Sequence, residues 1–597
     1  MKARFRAAVL LGLLGACGSL NEGQIIIIDE GNAGGTESSG GEPNEPQGGA
    51  GAGAGAGAGD AGQAGDAPGG QAGQAGALNP PGQAPPSVVG VTPEHEAVGV
   101  STDVDTITIE FSEAIEPSTV TAASVRVLDL GEPLASEIDV SGSTVTLTLN
   151  EPLSRLARYT VEVSPAVEDL DGEALTEAFV STFDTADGKW GDILEVAPEG
   201  EGPFLEVSVA TNERGDALFG IVGPDPRDSS SYVASARWYR RATGWEPAVI
   251  LSGAGKGATA IQVAINRAGQ AVAVWTGSGE FWGHRYSDGA WGEPKRVGGA
   301  VSGATYRDPR AAISDEGVAA FAYLHASNSD ASLLGGGFDA RGVWWSGQDI
   351  AYSTRIEGLD IASDAEGRAM LVFRTYPSGQ PSRLQFARFN PTDKLWLDGS
   401  GTLPASAGSG RPDVAVDADG GAMAVWVRSA DNDVVASRYG RASGWSEPVV
   451  IDDLAGIPSV FRQSVASDGT NFVAAWAQDI SGTQTNIYSS RFDAAKGTFS
   501  APELMNDAIS STGECLLGID RRGNAWLLWS QGQFTAYRGF ANRYDALAGE
   551  WEGPRPLPDP DTALNIVELA VAPAGHAFAF WGTGVTSGYE YWAAPFR

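Results

Sequence analysis

Few residues in this chain have the type and spacing that metal binding or acid–base catalysis requires. The histidines number only four, namely His95, His284, His325 and His576. They are isolated, and none has a partner at the spacing of a zinc site. We therefore predict no metal site.

Arginine is a residue with catalytic potential that recurs at one place in a repeated phrase. Six such positions are Arg237, Arg285, Arg388, Arg438, Arg491 and Arg543. A residue that every repeat needs is architectural, whereas a catalytic residue should break the repeat. We predict that these arginines hold the fold together, and we predict no catalytic residue.

One turn points to a possible glycosidase. The segment Tyr286-Ser287-Asp288-Gly289-Ala290-Trp291 resembles the Asp-box of sialidase-like enzymes, although its spacing departs from S-x-D-x-G-x-T-W. The resemblance implies a carbohydrate-active enzyme, which would also need clustered arginines for a carboxylate and an acid–nucleophile pair. This is our alternative function. Residues 543–554 faintly resemble the blade motif of quinone-dependent dehydrogenases, but most repeats lack it, and we predict no cofactor.

The strongest irregularity among the repeats spans residues 325–345. It contains Gly335-Gly336-Gly337 and two adjacent tryptophans, Trp344 and Trp345. We predict a drifted repeat in which Trp345 is a packing residue. The alternative is an aromatic, glycine-loosened loop that holds a sugar or a peptide, with Trp344 and Trp345 as its candidate ligand-binding residues, because departures from a repeat often build binding sites.

Two acidic segments could suggest calcium. Asp169, Asp171 and Glu173 flank a glycine, and residues 417–420 read DADG. Other repeats replace the second segment by NRAG or APAG, which favours tight turns over calcium loops.

The N-terminus carries an export signal. Lys2, Arg4 and Arg6 precede a short apolar run, and residues 14–17 resemble a bacterial lipobox. The resemblance implies removal of residues 1–16 and lipidation of Cys17; an ordinary secretory signal is the alternative. We expect a location in the cell envelope, at the outer membrane. The second cysteine, Cys515, lies in an apolar run and is expected to be an inert buried thiol.

The charge and the next segment limit the partners. Asp and Glu number 75 against 39 Lys and Arg, giving a net charge of -36, which argues against nucleic acid as a partner. Residues 17–86 are rich in Gly and Ala and contain no aromatic residue, so we expect a disordered tether. We expect a monomer that touches the membrane through its lipid alone.

Residues 87–185 contain alternating strand patterns such as Thr106–Phe111 and Tyr159–Val163. The phrases TPEHEAVGV, ITIEFSEAI and STFDT resemble the bacterial Ig-like domain of the S-layer SbsA type. The resemblance implies a β-sandwich that acts as a spacer or adhesion module.

Residues 189–597 are repetitive. A turn with Gly and a small-apolar strand recur eight times, and the strands end at Ile221, Trp275, Tyr323, Phe373, Trp426, Trp476, Trp529 and Trp581. About four short strands in each repeat of about 50 residues are typical of a β-propeller. We expect the tryptophans to fill the wedges between blades.

The last repeat lacks its final phrase, whereas a stray copy stands at residues 189–196. We predict that this N-terminal strand completes the last blade, with Trp190 buried as Trp245 and Trp445 would be. The fold class is thus all-β, an Ig-like β-sandwich followed by an eight-bladed β-propeller, with seven blades as the alternative. The leading function is non-catalytic binding or scaffolding for a surface glycan or an envelope protein.

Overall fold

A computed structural model describes residues 84–197, 203–253, 257–298, 305–327, 329–452, 459–479, 485–506, 511–533, 536–558, 564–585 and 588–597. The predicted signal peptide, Cys17 and nearly all of the predicted tether lie outside these residues. The described residues form strands and a single 3-10 helix at Pro117–Thr119, and none of their helices is long and apolar enough to cross a membrane. The all-β prediction is confirmed.

The first domain contains two sheets, with strand orders β1-β3-β7-β6 and β2-β9-β8-β4-β5. Alternating apolar residues of both sheets, such as Ile107, Ile109 and Val161, are buried between them. The strands are β1 Val88–Thr92, β2 Ala97–Val100, β3 Thr106–Phe111, β4 Val125–Asp129, β5 Glu132–Pro133, β6 Ser136–Ser141, β7 Thr144–Leu149, β8 Arg158–Val163 and β9 Phe179–Thr185.

The second domain, which we call the repeat domain, contains eight antiparallel sheets of four or five strands. Sheet 1 holds β11 Glu206–Thr211, β12 Ala217–Asp225, β13 Asp228–Arg240, β14 Gly244–Trp245 and β15 Val249–Ile250; sheet 2 holds β16 Ala260–Ile265, β17 Ala271–Gly277, β18 Glu280–Ser287, β19 Ala290–Trp291 and β20 Lys295–Gly298. Sheet 3 holds β21 Thr305–Ile313, β22 Ala319–Ala326, β23 Ala331–Phe338 and β24 Trp344–Ser353; sheet 4 holds β25 Arg355–Ser363, β26 Ala369–Tyr376, β27 Arg383–Asn390 and β28 Leu395–Thr402.

The remaining sheets repeat the same order. Sheet 5 holds β29 Asp413–Val416, β30 Ala422–Arg428, β31 Asp433–Gly440, β32 Gly444–Trp445 and β33 Val449–Val450; sheet 6 holds β34 Ser459–Ser467, β35 Phe472–Asp479, β36 Thr485–Asp493, β37 Thr498–Phe499 and β38 Glu503–Leu504. Sheet 7 holds β39 Ser511–Ile519, β40 Ala525–Gln533, β41 Ala536–Asp545, β42 Glu550–Trp551 and β43 Arg555–Pro556; sheet 8 holds β44 Leu564–Val571, β45 Ala577–Val585, β46 Gly588–Phe596 and β10 Leu194–Ala197.

Neighbouring sheets pack through their first strands and through apolar layers. The first strand of each sheet contacts that of the next sheet, and β44 of sheet 8 contacts β11 of sheet 1. Trp275, Trp476 and Trp581 are buried against the preceding sheet. The tryptophans therefore pack between sheets, as predicted. Burial of one such ring contributes roughly 3 kcal/mol or more.

The strand that follows the first domain completes sheet 8. Leu194 and Glu195 pair with Ala593 and Trp592 of β46, and Trp190 forms a bridge with Phe596. The predicted pairing is confirmed. The prediction that Trp190 is buried was too strong, because its ring lies at the outer edge of the sheet and is half-buried, as Trp245 and Trp445 are.

The same aromatic pair recurs in all eight sheets, between the end of the third strand and the start of the fourth. The ring centroids of Trp190 and Phe596 are 5.4 Å apart. The other pairs, with centroids 4.8–5.5 Å apart, are Tyr239–Trp245, Tyr286–Trp291, Phe338–Trp344, Phe389–Trp396, Tyr439–Trp445, Phe492–Phe499 and Tyr544–Trp551. Trp190 thus occupies the position that a tryptophan or phenylalanine has in every other repeat.

The sheets share one orientation. The turns that join first and second strands lie side by side in neighbouring sheets. Arg368, next to the turn of sheet 4, donates a hydrogen bond to Ala418 O in the turn of sheet 5 (2.7 Å). We call this edge the turn face, and we call the opposite edge, with the loops between second and third strands, the loop face.

The first domain docks on the turn face of sheets 7, 8, 1 and 2. Arg521 donates to Asp129 Oδ2 (2.7 Å), and Arg522 also pairs with Asp129. The backbone N–H of Arg155 donates to Ala574 O (3.3 Å). Two further ion pairs join Asp103 to Arg241 and Glu151 to Arg267. The two domains are therefore held together by several ionic contacts.

Candidate functional site

Trp344 and Trp345, the candidate ligand-binding tryptophans, are half-buried packing residues. Trp344 contacts Phe338 with ring centroids 4.8 Å apart, as the first aromatic residue of the fourth strand does in the other sheets. Trp345 stacks parallel to Phe389 of sheet 4 (6.1 Å, 8°). This geometry fits the predicted drifted repeat, although Trp344 rather than Trp345 has the usual position.

The structure does not contain the loosened loop of the alternative interpretation, because Gly335, Gly336 and Gly337 all lie within β23. A Cβ atom on Gly335 would lie 2.4 Å from the Trp396 ring, and one on Gly337 would lie 2.1 Å from Ala319 O. These glycines make room for aromatic rings and backbone of neighbouring strands.

The recurring arginines stack on aromatic rings. Arg491 lies 3.7 Å from the centroid of Tyr544 in the next sheet, and Arg285 lies 5.4 Å from that of Phe338. Arg438 lies over Phe472 and donates to Asp417 Oδ2 (2.7 Å). Such contacts support the architectural role predicted for these residues.

The acidic segments form turns. Asp417 Oδ1 accepts from the backbone N–H groups of Asp419 (3.1 Å) and Gly421 (2.6 Å), and Asp169 Oδ1 accepts from those of Asp171 and Glu173. In the described part of the chain, no group of three His, Cys, Asp or Glu side chains is arranged to hold a metal ion. Cys515 is buried, as expected.

A cleft of ≈ 510 Å³ opens on the turn face between sheets 4 and 5. Three arginines and two glutamates are among its lining residues: Arg368, Arg388, Arg441, Glu316 and Glu366. Arg368 is paired with Asp364 and with Glu366 (2.8 Å). The cleft therefore presents charges of both signs.

A different group of charged residues lies on the loop face of sheets 4 and 5. We call Arg355, Arg374, Arg411, Glu357 and Tyr376 the arginine cluster. The Tyr376 hydroxyl donates to Glu357 Oε1 (2.6 Å), and Arg374 Nη1 is 3.4 Å from the same oxygen. Arg355 pairs with the other oxygen of Glu357.

The ring centroid of Tyr376 lies 5.1 Å from the guanidinium carbon of Arg355 and 4.7 Å from that of Arg374. Burial raises the pKa of Tyr376, and its hydrogen bond to Glu357 raises that pKa further. Burial alone would raise the pKa of Glu357, but the Tyr376 hydrogen bond and the charges of Arg355, Arg411 and Arg374 outweigh it and lower that pKa. Glu357 is therefore ionised and Tyr376 neutral at neutral pH.

Local backbone places these side chains together. Arg355 and Glu357 begin β25, and Arg374 and Tyr376 end its partner β26, so all four lie at one end of sheet 4. Gly358 has φ +61°, and a Cβ atom there would lie 2.7 Å from Cγ of Arg411. Glycine at this position therefore lets the sheet 5 arginine approach Glu357.

Next to the cluster, the first strands carry a ring of mostly polar side chains. In each sheet, one residue of the first strand pairs with the second-strand residue that directly precedes Ile221, Trp275, Tyr323, Phe373, Trp426, Trp476, Trp529 or Trp581. The eight first-strand residues are Ser208, Gln262, Arg310, Asp360, Asp413, Ser464, Leu516 and Glu568. We call this set the first-strand ring. Asp360 Oδ2 accepts from Val414 N (2.8 Å), and Asp413 Oδ2 accepts from Val465 N (2.7 Å). The ring thus ties successive sheets together.

Two carboxyl groups of the ring share a hydrogen bond. Burial, followed by the charge of Asp360 and the hydrogen bond to it, raises the pKa of Asp413 well above its usual range. Arg310 is buried and donates to Leu359 O (2.8 Å). Asp413 therefore holds its proton to a higher pH than an exposed carboxyl group does.

Sequence reasoning missed the arginine cluster. One signal was available in the sequence. The position that directly follows Ile221, Trp275, Tyr323, Phe373, Trp426, Trp476, Trp529 and Trp581 holds a charged residue only in sheet 4. That residue is Arg374, whereas the other sheets have Val222, Thr276, Leu324, Val427, Ala477, Ser530 and Gly582.

Comparison with known proteins gives one family match and distant structural likenesses. No curated protein matches the sequence. Puromycin hydrolase is 14% identical, with 65% of this chain and 59% of that chain covered and a TM-score of 0.38. The PL25 ulvan lyase is 12% identical (47% and 78% covered, TM-score 0.35), and the Hadza microbial sialidase Hz136 is 11% identical (70% and 100% covered, TM-score 0.31).

The chain spans less than two thirds of the length of puromycin hydrolase. The family model that matches is the bacterial Ig-like domain, over residues 82–185. The first domain of this chain is a bacterial Ig-like domain.

Proposed function

We propose that this chain is a cell-envelope lipoprotein, held at the outer membrane by lipid on Cys17, that binds glycan or envelope-protein partners without catalysis. In this account it acts as a monomer, needs no cofactor and does not bind nucleic acid. The Ig-like domain and the repeat domain form the binding body, and residues 17–86 form the tether.

The repeat domain is, in this proposal, an eight-bladed β-propeller in which each sheet is one blade. Contacts between first strands run through eight sheets and return from β44 to β11, which supports this count. The aromatic pair at the outer edge also occurs eight times, with Trp190 supplying the eighth. A seven-bladed ring would leave one of these sheets outside the contacts.

The observation that carries the binding function is the arginine cluster on the loop face. The Ig-like domain contacts the turn face, at the opposite end of the strands, so it does not cover the cluster. β25 has nine residues and separates the two ends by about 30 Å. A partner can therefore reach the loop face while the Ig-like domain stays docked.

The surroundings of the acidic groups favour binding over catalysis. Glu357 is held by Tyr376 and two arginines, and Asp360 and Asp413 both accept backbone hydrogen bonds of the next sheet. These contacts give the three acidic residues a structural role in the fold. The raised pKa of Tyr376 also disfavours a phenolate nucleophile at neutral pH.

A carbohydrate-active enzyme is the second candidate. It is favoured by the Glu357–Tyr376 hydrogen bond beside arginines that lie outside the recurring positions. Such an enzyme would combine this group with a proton donor, for which Asp413, whose pKa burial raises, is a candidate.

A binding screen tests the proposal. Residues 84–597 include both domains and their interface and should be offered to a glycan array and to envelope proteins. We expect retention of at least one glycan or protein, with no cleavage of aryl glycosides. Turnover that is lost in Glu357→Gln would instead establish the enzyme, and a screen with no binding partner would contradict the proposal.

The anchor has its own test. Cys17→Ser should move the full chain from the membrane fraction to the soluble fraction. If the variant sediments with membranes as the unchanged chain does, lipid on Cys17 is not what holds the protein there.

A further inference from the structure

The arginine cluster gathers three guanidinium groups around one carboxylate. Arg355, Arg374 and Arg411 all lower the pKa of a single carboxyl group, that of Glu357. A fourth arginine, Arg307 of sheet 3, contacts the same strand through Ile356 O (3.4 Å). In a chain with a net charge of -36, such a grouping of arginines needs an explanation.

Acidic side chains also lie near these arginines. Asp308 is 3.9 Å from Arg307. The charge of Arg310, which is buried, acts on the carboxyl groups of Asp360 and Glu206.

The guanidinium groups are also accessible. The side chains of Arg355 and Arg307 are 48% and 41% exposed, whereas that of Glu357 is 10% exposed. An incoming group would therefore meet the arginines first, with Glu357 behind them. Planar guanidinium groups suit carboxylate and sulfate oxygens, because each can donate two parallel N–H bonds.

The cluster is specific to one part of the repeat domain. Glu357 and Arg374 have no acidic–basic counterpart in sheet 5, where the corresponding positions are Gly410 and Val427. The recurring arginines, by contrast, stack on aromatic rings in several sheets. A departure from the repeat that gathers like charges, at some expense in stability, indicates a binding role.

We infer that the arginine cluster, together with Arg307, is a binding site for an oxyanion, the carboxylate or sulfate group of a ligand. This inference rests on the proposed binding function. It restricts the ligands proposed there, glycans or proteins, to acidic sugars. The oxyanion contacts Arg355 and Arg307, and Tyr376 and Glu357 hold Arg355 and Arg374 in place.

The test is calorimetric titration of the full chain, purified in mild detergent, with D-glucuronate, glucose 6-sulfate and neutral glucose. The first two ligands separate a carboxylate from a sulfate, and we expect at least one of them to bind while glucose does not. Arg355→Gln should weaken that binding at least tenfold, and Arg355→Lys should weaken it less.

Arg341→Gln is the matched control, since Arg341 is an exposed arginine on the turn face and lies outside the cleft. It should leave the affinity unchanged, and thermal unfolding should show that every variant folds. Equal loss in Arg341→Gln and Arg355→Gln would overturn the inference, because net charge alone would then account for it. Failure of both anionic sugars to bind would also overturn the inference. The proposed binding function would still hold in that case if the screen identifies a neutral glycan or a protein partner.

Discussion

Asp129 and Arg522 form a buried ion pair across the boundary between the Ig-like domain and the repeat domain, 393 residues apart in sequence. The side chains are only 7% and 6% exposed, and Arg521 donates to the second oxygen of the same carboxylate. Arg522 also lies 5.0 Å from the ring centroid of Tyr159. The Ig-like domain, which the resemblance presents as a spacer, is docked on the repeat domain by these contacts.

Asp129→Ala should loosen this docking. Removing one partner of a buried pair leaves an uncompensated charge, at a cost of about 3–5 kcal/mol. Small-angle scattering of residues 84–597 should then show a larger radius of gyration, and urea unfolding should separate into two transitions. Glu132→Ala, at an exposed acid of the same domain, is the control. Identical scattering and unfolding for both variants would mean that the pair does not hold the domains together.

Trp190→Ala should destabilise the repeat domain about as much as Trp245→Ala. Both rings are half-buried and contact the last aromatic residue of a third strand at 5.3–5.4 Å. Loss of either should lower the free energy of unfolding by roughly 3 kcal/mol. Chemical denaturation measures both variants. If Trp190→Ala has no effect while Trp245→Ala does, the N-terminal strand does not contribute to sheet 8 as described.

Gly337→Ala should be poorly tolerated. Its Cβ atom would lie 2.1 Å from the backbone oxygen of Ala319, so two strands would have to separate, at a cost of roughly 1–3 kcal/mol or more. Gly292→Ala is the control, since a Cβ atom there would lie 3.6 Å from its nearest neighbour, Arg285 O. Thermal unfolding should show a lower Tm for the first variant alone. Equal Tm values would mean that β23 and its neighbours are less tightly packed than described.

Acidification should stabilise the region around Asp452. Burial raises the pKa of this carboxyl group to about 6, and the charges of Asp433 and Asp431 also raise it. The unfolded chain has the lower pKa, so the contribution of Asp452 to stability is full below about pH 4 and is lost as the pH rises through 6. Asp452→Asn, which stays neutral, should therefore be more stable than the unchanged chain at pH 7.5. The difference should vanish near pH 4, and a difference that does not depend on pH would contradict this assignment.

The sequence predicted the regular part of the repeat domain because the second strands and the aromatic pairs recur almost unchanged. Trp190 could be assigned to sheet 8 for the same reason, since its phrase has seven counterparts. The half-burial of Trp190 was not predicted. The repeated phrase indicates which ring Trp190 contacts, but it does not indicate how much of the Trp190 side chain is exposed at the outer edge of the sheet.

The arginine cluster was harder to predict because the first strand of sheet 4 is irregular. The register between β25 and β26 shifts between Glu357 and Asp360, which interrupts the alternation that identifies a strand. Arg411 reaches the cluster from the next sheet, past Gly358, over a distance that spacing along the chain does not reveal. The docking of the Ig-like domain was equally hidden, because Asp129 has no feature in the sequence that distinguishes it from other surface acids.

The central claim is that the loop face binds a partner without transforming it. Its most direct test is to incubate the full chain with polygalacturonate and to follow affinity electrophoresis and the release of new reducing ends in the same samples. We expect retarded migration that Arg355→Gln abolishes, and no new reducing ends. Reducing ends that disappear in Glu357→Gln would contradict the claim by making the same site catalytic, and migration equal to that in a gel without polysaccharide would contradict binding of an acidic glycan.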